Sequence, residues 1–444
     1  MRQEVNSARD TSEEFIRVPE QRVPVWMRTQ VLVVGGGTAG LAAAVSAARL
    51  GADVTLLERT GHLGGLATGG LIILLLTLDD GEGHQVVRGI CQEVVERLAA
   101  RHAAIFPPPS ERYRPEPELV DRWAEYGLRW GKGPHHVRYS VAFDPEELIF
   151  LANDLLEECK VHLLFHTQAI EPIREGSRLR GMIVQGRSRR GAILADVVVD
   201  TSGDGDVFAL AGSPFELQAV VPWLWFRLGN VDEGAFGDSD ALKIFRTARP
   251  REALVVPWGG PFGLSRAIDA TDVRDLTWAE VASRKKVHEV MEIRLKDRQG
   301  LERAYISHVA TQLGITESRR LIGRRVLTPQ DVNRHFSDSI GCTGNWTKYH
   351  EFYEIPYSCL LPVQFENLLV AGRCISVNHV VHHSTKEIPA CMVTGEAAGT
   401  AAALSVQQGV APAALDVAAL RRQLTQQGAC LEVPTEQAEG ASSV

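Results

Sequence analysis

Apolar positions between residues 31 and 59 fall into two short runs separated by a helical stripe. VLVV (31–34) ends in three glycines, and small and aliphatic residues then recur at helical spacing up to Leu50. Gly51 closes that helix, and a second apolar run from Asp53 to Leu57 delivers Glu58 at its end. The spacing predicts strand, tight turn, helix and strand. Val86 to Ala103 carries Val87, Ile90, Val94, Val95 and Leu98 on one face and predicts an amphipathic helix. The prolines of IFPPPSERYRPEPE mark a surface excursion. Asp144-Pro145-Glu146-Glu147 reads as the N-cap and first turn of a helix reaching about Cys159. Val161–Phe165, Gln168–Ile173, Leu179–Gln185 and Ala192–Asp200 are predicted strands, a meander that returns to a parallel sheet.

Two later stretches repeat the plan. VVVDTSGDGDVFALAG (197–212) and ENLLVAGRCIS (366–376) each run from strand into glycine turn, and PACMVTGEAAGTAAALSVQQG (389–409) is an alanine-rich helix stopped by Gly409. Between them the chain changes character, with five of the eight tryptophans and a long charged helix candidate at Trp278–Arg298. The expected fold is α/β: a Rossmann-like nucleotide domain, parallel sheet plus β-meander, built from discontinuous segments around an inserted α+β substrate domain. The boundaries are an N-terminal extension (1–27), nucleotide-domain parts at 28–100, 144–213 and 356–430, an excursion or cap segment at 101–143, a substrate or cap domain at 214–355, and a C-terminal tail (431–444). Met1 to about Glu13, polar and mixed in charge, is expected to be a mobile tail.

Gly35, Gly37 and Gly40 satisfy G-x-G-x-x-G, and Glu58 follows at about the 20-residue spacing of a dinucleotide fingerprint. A side chain at Gly35 would obstruct the turn, one at Gly37 would hold a pyrophosphate off the backbone, and one at Gly40 would push helix from strand. The N–H groups opening the helix then face the anion. Glu58 can accept both ribose hydroxyls of an adenosine and would repel a 2′-phosphate, so NAD or FAD is expected and NADP is not.

Composition narrows the classes. A 444-residue chain has room for two or three domains, and 45% hydrophobic with 23% charged residues is ordinary globular usage. A formal net charge of -8 with no basic run argues against nucleic acid as a partner. Seven cysteines without a C-x-x-C pair give no disulfide framework, and a start lacking an apolar core reads as no signal peptide; cytoplasmic localisation is expected. No membrane partner is expected, since the longest apolar run, Leu71 to Leu76 with its flanks, is too short to span a bilayer. Self-association into a homo-oligomer is left open.

The fingerprint, together with Thr201-Ser202-Gly203-Asp204-Gly205-Asp206, Glu317-Ser318-Arg319-Arg320 with Gly323, and the stretch from Leu368 to Leu404, resembles the FAD-dependent oxidoreductases of the glutathione reductase-like superfamily. The matches are colinear and cover about a third of the chain. The resemblance implies FAD as cofactor and an enzyme that moves a hydride between a small organic substrate and flavin N5. It places Gly35, Thr38, Ala39 and Gly40 at the pyrophosphate, and Glu58 and Arg59 at the adenosine ribose. Gly64, Gly65, Leu66 and Thr68 fall on the flavin side, and the backbone of Ala169 at adenine. Thr201, Ser202 and Gly203 belong near the adenosine half, with Gly372, Arg373 and Cys374 near the pyrophosphate and ribityl chain. Leu71–Leu76 is then buried sheet or flavin-side packing. Reduced flavin carries negative charge near N1 and O2, which a helix N-terminus stabilises, so Ala390 to Thr394, including Cys391 and Met392, is expected beside the isoalloxazine.

Hydride removal from a carbon beside O–H or N–H needs a base for the heteroatom proton. SVNHVVHHSTKE (376–387) supplies His379, His382 and His383, with His382 favoured, and Lys386 beside them. Relatives often carry Arg where this chain has Lys386, which weakens any carboxylate clamp there. No Asp, Glu or Cys at ligand spacing accompanies the histidines, so no metal is expected. Glu317, Arg319 and Arg320, read as helical, are expected to form a structural ion-pair network. Trp223, Trp225 and Trp346 could stack on a flat substrate, although core packing is the simpler expectation for each. Two alternatives remain: a binding protein that keeps the fold without turnover, as Rab GDP-dissociation inhibitors do, and a flavin monooxygenase, for which no DG-x-x-S turn is visible.

Overall fold

A computed structural model describes residues 16–239, 242–257 and 262–433. The expected tail at Met1–Glu13 and nearly all of 431–444 lie outside the described residues.

The β-branched run at the start of the fingerprint is one end of a longer strand, Val25–Val34, which lies parallel to Val54–Leu57 on one side and to Arg190–Asp200 on the other. Val31 to Val33 are fully buried, as a strand covered on both faces requires. His162–Leu164 extends the sheet beyond Val54–Leu57. The 190–200 strand has two uses. Its first half pairs antiparallel with Arg178–Gln185, which pairs in turn with Gln168–Glu175, and its second half pairs parallel with Leu368–Val370. The result is a seven-stranded mixed sheet drawing on segments from residue 25 to residue 370.

Two helices cover one face of that sheet in close contact. Thr38–Arg49 is buried from Thr38 to Ala47, and Ile388–Gln408 is buried along nearly its whole length. Their small residues explain the approach: a Cβ on Gly395 would stand 2.2 Å from Ala39 O, and one on Gly399 2.1 Å from Ala43 O. Gly409 ends the second helix in the left-handed conformation. Helix Pro145–Glu158 opens as expected, with Asp144 accepting from the amides of Glu146 (2.9 Å) and Glu147 (3.2 Å).

A second, antiparallel sheet orders Gly237–Ser239, Leu242–Arg246, Glu252–Pro257, Phe226–Gly229 and Tyr305–Val309. The charged segment between its Glu252–Pro257 and Tyr305–Val309 strands is helical at Val273–Glu289 and continues as a π-helical turn, Val290–Leu295. The stretch around Arg319 is a short strand, Arg319–Leu321, paired with Phe215–Leu217. The helix expected there is absent, because Arg319, Arg320 and Leu321 pair antiparallel with Leu217, Glu216 and Phe215. No helix among the described residues is long and apolar enough to cross a membrane.

Candidate active site

Four glycine turns from distant parts of the chain converge above the strand ends. Gly35 adopts φ +109°, open only to glycine at low cost, and a Cβ there would stand 2.5 Å from Thr201 O. Thr201 Oγ1 donates to the carbonyls of Val34 (3.0 Å) and Gly35 (2.8 Å), tying the first turn to the second. A Cβ on Gly65 would meet Gly37 Cα at 3.1 Å, and one on Gly372 would meet Ala39 Cβ at 3.1 Å. Gly40 is closer still, with its Cβ position 1.8 Å from Gly35 O. Gly372 N donates to Thr394 Oγ1 (3.0 Å), which anchors the fourth turn to the alanine-rich helix.

Around these turns lies a cavity of about 470 Å³. Glu58, Arg59 and Ala169 line it, as do Gly35, Gly37, Thr38, Ala39, Thr201, Ser202, Gly203, Gly372 and Arg373, and so do Gly64, Gly65, Leu66, Ile388 and Cys391. Gly37 has open space within 4 Å of where a Cβ would stand. Helix Thr38–Arg49 begins there with no side-chain cap and no acidic residue in its first turn, leaving its positive end to whatever the cavity holds. Glu58 Oε2 accepts from Gly36 N (2.8 Å) and Oε1 from Thr60 N (2.7 Å) and Oγ1 (2.8 Å), which fixes the carboxylate against the turn.

An ion-pair cluster locks the same segments. Asp204 accepts from Arg373 (2.6 Å) and Ser318 (2.6 Å), and Arg319 pairs with Asp206 (2.9 Å). Burial opposes ionisation of Asp204, but the Arg373 guanidinium holds its carboxyl below the ordinary value. Arg320 bonds Glu317 (2.6 Å) and Glu216 (2.8 Å), so the expected structural network is present, although built on a strand.

Several expected residues sit elsewhere. Gly40 is tucked against Gly35 rather than facing the cavity, and Thr68 lies under its loop, its hydroxyl donating to Leu63 O (2.6 Å). Cys374 is fully buried, its thiol pushed well up by burial. Of residues 390–392 only Cys391 lines the cavity, because helical spacing carries Glu387, Ile388 and Cys391 to one face and turns Ala390 and Met392 into the core.

The histidines are also placed differently from expectation. They form a short helix, His379–Thr385, and none lines the cavity. His382 is 2% exposed, its Nε2 donating to Arg373 O (2.9 Å), and burial with nearby Lys386 drives its pKa well down. A neutral imidazole so engaged is a brace for the Arg373 turn. His379 bonds Glu317 (2.8 Å), and His383 lies against Trp346, ring centroids 4.8 Å apart, with its pKa pushed down to about 4 by burial and by Lys386. Lys386 does line the cavity.

Trp223, Trp225 and Trp346, named from the sequence as able to stack on a flat substrate, line the cavity, and sequence reading missed Trp130 beside them. Trp130 joins Trp346 edge to face at 5.4 Å, and Trp223 stacks on Trp225 at 4.6 Å; all four rings line the cavity. Trp130 lies in the proline-rich excursion, where nothing in the local pattern marked it. Thr311, Gln312, Glu280 and Glu387 also line it. Glu387 could have been noticed as the residue preceding a helix that starts Ile388-Pro389.

An open glycine cradle, an uncapped helix start, and a buried Arg373 Nε without a hydrogen-bond partner among the described residues fit an extended dinucleotide. Fold and cavity together define an α/β protein whose discontinuous segments line a cavity fit for a dinucleotide.

The family described as FAD dependent oxidoreductase matches residues 30–424, and the chain belongs to it. It is an FAD-dependent enzyme. A 198-residue stretch is 31% identical to 6-methylpretetramide 4-monooxygenase of Streptomyces rimosus, covering 42% of this chain and 42% of that protein. The match thus spans less than half the length of the curated relative. Among solved structures, p-nitrophenol 4-monooxygenase of Pseudomonas putida has a TM-score of 0.51 at 12% identity, over 93% of this chain and 92% of that one. A geranylgeranyl bacteriochlorophyll reductase-like protein of Thermoplasma acidophilum has a TM-score of 0.50 at 14% identity, over 90% of this chain and 82% of that one. These two likenesses speak to the fold.

Proposed function

We propose that the protein transfers a hydride between a small organic substrate and FAD. The observation that carries this reading is a single cavity lined both by the glycine turns and by an apolar wall that includes Ile388 and Cys391 of the alanine-rich helix. When bound, FAD supplies a two-electron acceptor whose reactive ring takes the hydride.

The chain's own residues do the rest. The amides opening helix Thr38–Arg49 would hold the pyrophosphate, Glu58 would orient the ribose, and Arg373 would add a cation beside the cofactor. Helix Ile388–Gln408 starts with no side-chain cap and no acid in its first turn, so its positive end would favour negative charge on a ring held there. Ile72, Leu74, Leu76, Leu313 and the four tryptophans exclude water from the chamber.

The purified protein should be yellow, and anaerobic addition of its substrate should bleach the visible flavin band without any nicotinamide. A flavin that bleaches only with NADH or NADPH, followed by oxygen incorporation into product, would replace this reading with the monooxygenase one. The 31% identity to a monooxygenase over 198 residues favours that second reading.

A further inference from the structure

We propose that the chamber takes a planar aromatic substrate presenting an O–H or N–H to Glu387, and that Glu387 removes that proton. This rests on the hydride-transfer reading above and names the substrate class and base of the same site.

Two tryptophan pairs, Trp130 with Trp346 and Trp223 with Trp225, line one chamber together with Leu276, Leu313 and Ile315. Flat apolar walls of indole favour a flat ring, through area burial and through stacked or edge contacts worth roughly 0.5–1.5 kcal/mol per aromatic pair.

Within that wall Glu387 is a carboxylate without a use. It is the N-cap residue of the alanine-rich helix, with φ −63° and ψ 152°, yet its side chain makes no cap bond. Its backbone is fixed, the carbonyl accepting from Cys391 N (2.9 Å), while no described residue hydrogen-bonds its carboxylate. Burial pushes the carboxyl up to about 7, opposed by Lys386. A base of that strength matches operation near neutrality. The other ionisable groups on the cavity wall are Lys386, Glu58, Arg59, Asp204, Asp206, Arg373, Glu280 and the Cys391 thiol; Lys386 is the adjacent cation, and Glu58, Arg59, Asp204, Asp206 and Arg373 are each held by partners within the glycine turns or the ion-pair cluster. Glu280 is paired with Arg284 on its own helix. Burial pushes the Cys391 thiol up to about 12, too high to compete as a base near pH 7. None of the three histidines lines the cavity.

The step balances without an added reagent. The substrate's heteroatom–hydrogen bond breaks with its electron pair left on the heteroatom, an O–H bond forms on Glu387, and the negative charge passes from carboxylate to substrate.

Equilibrium binding to the FAD-loaded protein tests this with phenol, anisole and cyclohexanol as probes, followed by tryptophan fluorescence and calorimetry across pH. Phenol should bind about tenfold tighter than cyclohexanol, and its preference over anisole should grow by about tenfold as pH rises through about 7, the worth of a hydrogen bond to a charged acceptor. Glu387→Gln should flatten that pH dependence, and Glu387→Asp should restore part of it. Cyclohexanol binding as well as phenol, or an unchanged pH-dependent preference in the Gln variant, would overturn the proposal. If the variant does not fold, a wild-type preference that is flat in pH does the same. Flavin content read on the same samples separates the two readings: aromatic binding by a protein unable to hold FAD sinks the oxidoreductase while leaving the aromatic chamber standing.

Discussion

At the scale of single residues, the glycines of the fingerprint are not equivalent. Gly37 has φ −67°, which alanine tolerates, and nothing within 4 Å of its Cβ position, whereas the Cβ position of Gly40 falls 1.8 Å from a carbonyl oxygen. Gly37→Ala should therefore leave the folding free energy of the FAD-free chain within about 0.5 kcal/mol of wild type while weakening FAD binding by about tenfold. Flavin-fluorescence titration and urea unfolding check the two halves. Gly40→Ala should instead lose soluble folded protein. Glu58 accepts one hydrogen bond from Gly36 of the turn and two from Thr60, so Glu58→Ala should cost about 1–3 kcal/mol of FAD affinity, an effect calorimetry would miss only if the carboxylate did not face the ribose. What the sequence hid at this scale was side-chain direction. The histidine cluster was visible, but only the helical path of 379–385 shows that His382 turns inward to the Arg373 carbonyl.

At the scale of elements, the close pairing of Thr38–Arg49 with Ile388–Gln408 sets the spacing between the pyrophosphate end and the ring end of the site. Gly399→Ala places a methyl 2.1 Å from Ala43 O, and the resulting strain should cost about 1–3 kcal/mol, seen as a lower denaturation midpoint with less bound FAD. The same helix carries Glu396, whose Oε2 accepts from Ile90 N (3.0 Å) at the start of helix Gly89–Ala100. Burial pushes its carboxyl up from 4.5 to about 7, against the pull of that amide. Over this window the folded chain holds a proton that the unfolded chain has released, so stability falls as pH rises from 4.5 to about 7. In Glu396→Gln the fall should be shallower, though not abolished, since burial also raises Asp200 to about 6 and Glu387 to about 7. Urea unfolding on either side of the window measures the difference; an identical slope in the variant would show that Glu396 is not the titrating group. The strands, the meander, the Asp144 cap and the Gly409 stop were legible because each rests on local periodicity or a local cap. The Arg319–Leu321 strand was not, because three residues carry no period and their partner strand lies a hundred positions upstream.

At the scale of the molecule, binding energy is shared by turns that meet only after folding. A ligand held by all of them stabilises the native state alone, so saturating FAD at about 100 times Kd should add about 2.7 kcal/mol to the unfolding free energy. The colinear motifs made the cofactor site readable, since a dinucleotide demands glycines and small residues wherever it touches backbone. The substrate chamber was far less readable: its tryptophans come from three unrelated segments, and a lone tryptophan looks the same in a core as in a site. The most direct test is an experimental structure of the protein with FAD. One FAD touching Gly37, Glu58 and Arg373 at once, with its ring beside Ile388 and Cys391 and facing the four tryptophans, is the predicted result. A flavin bound away from those residues, or contacting only one of the turns, would contradict it.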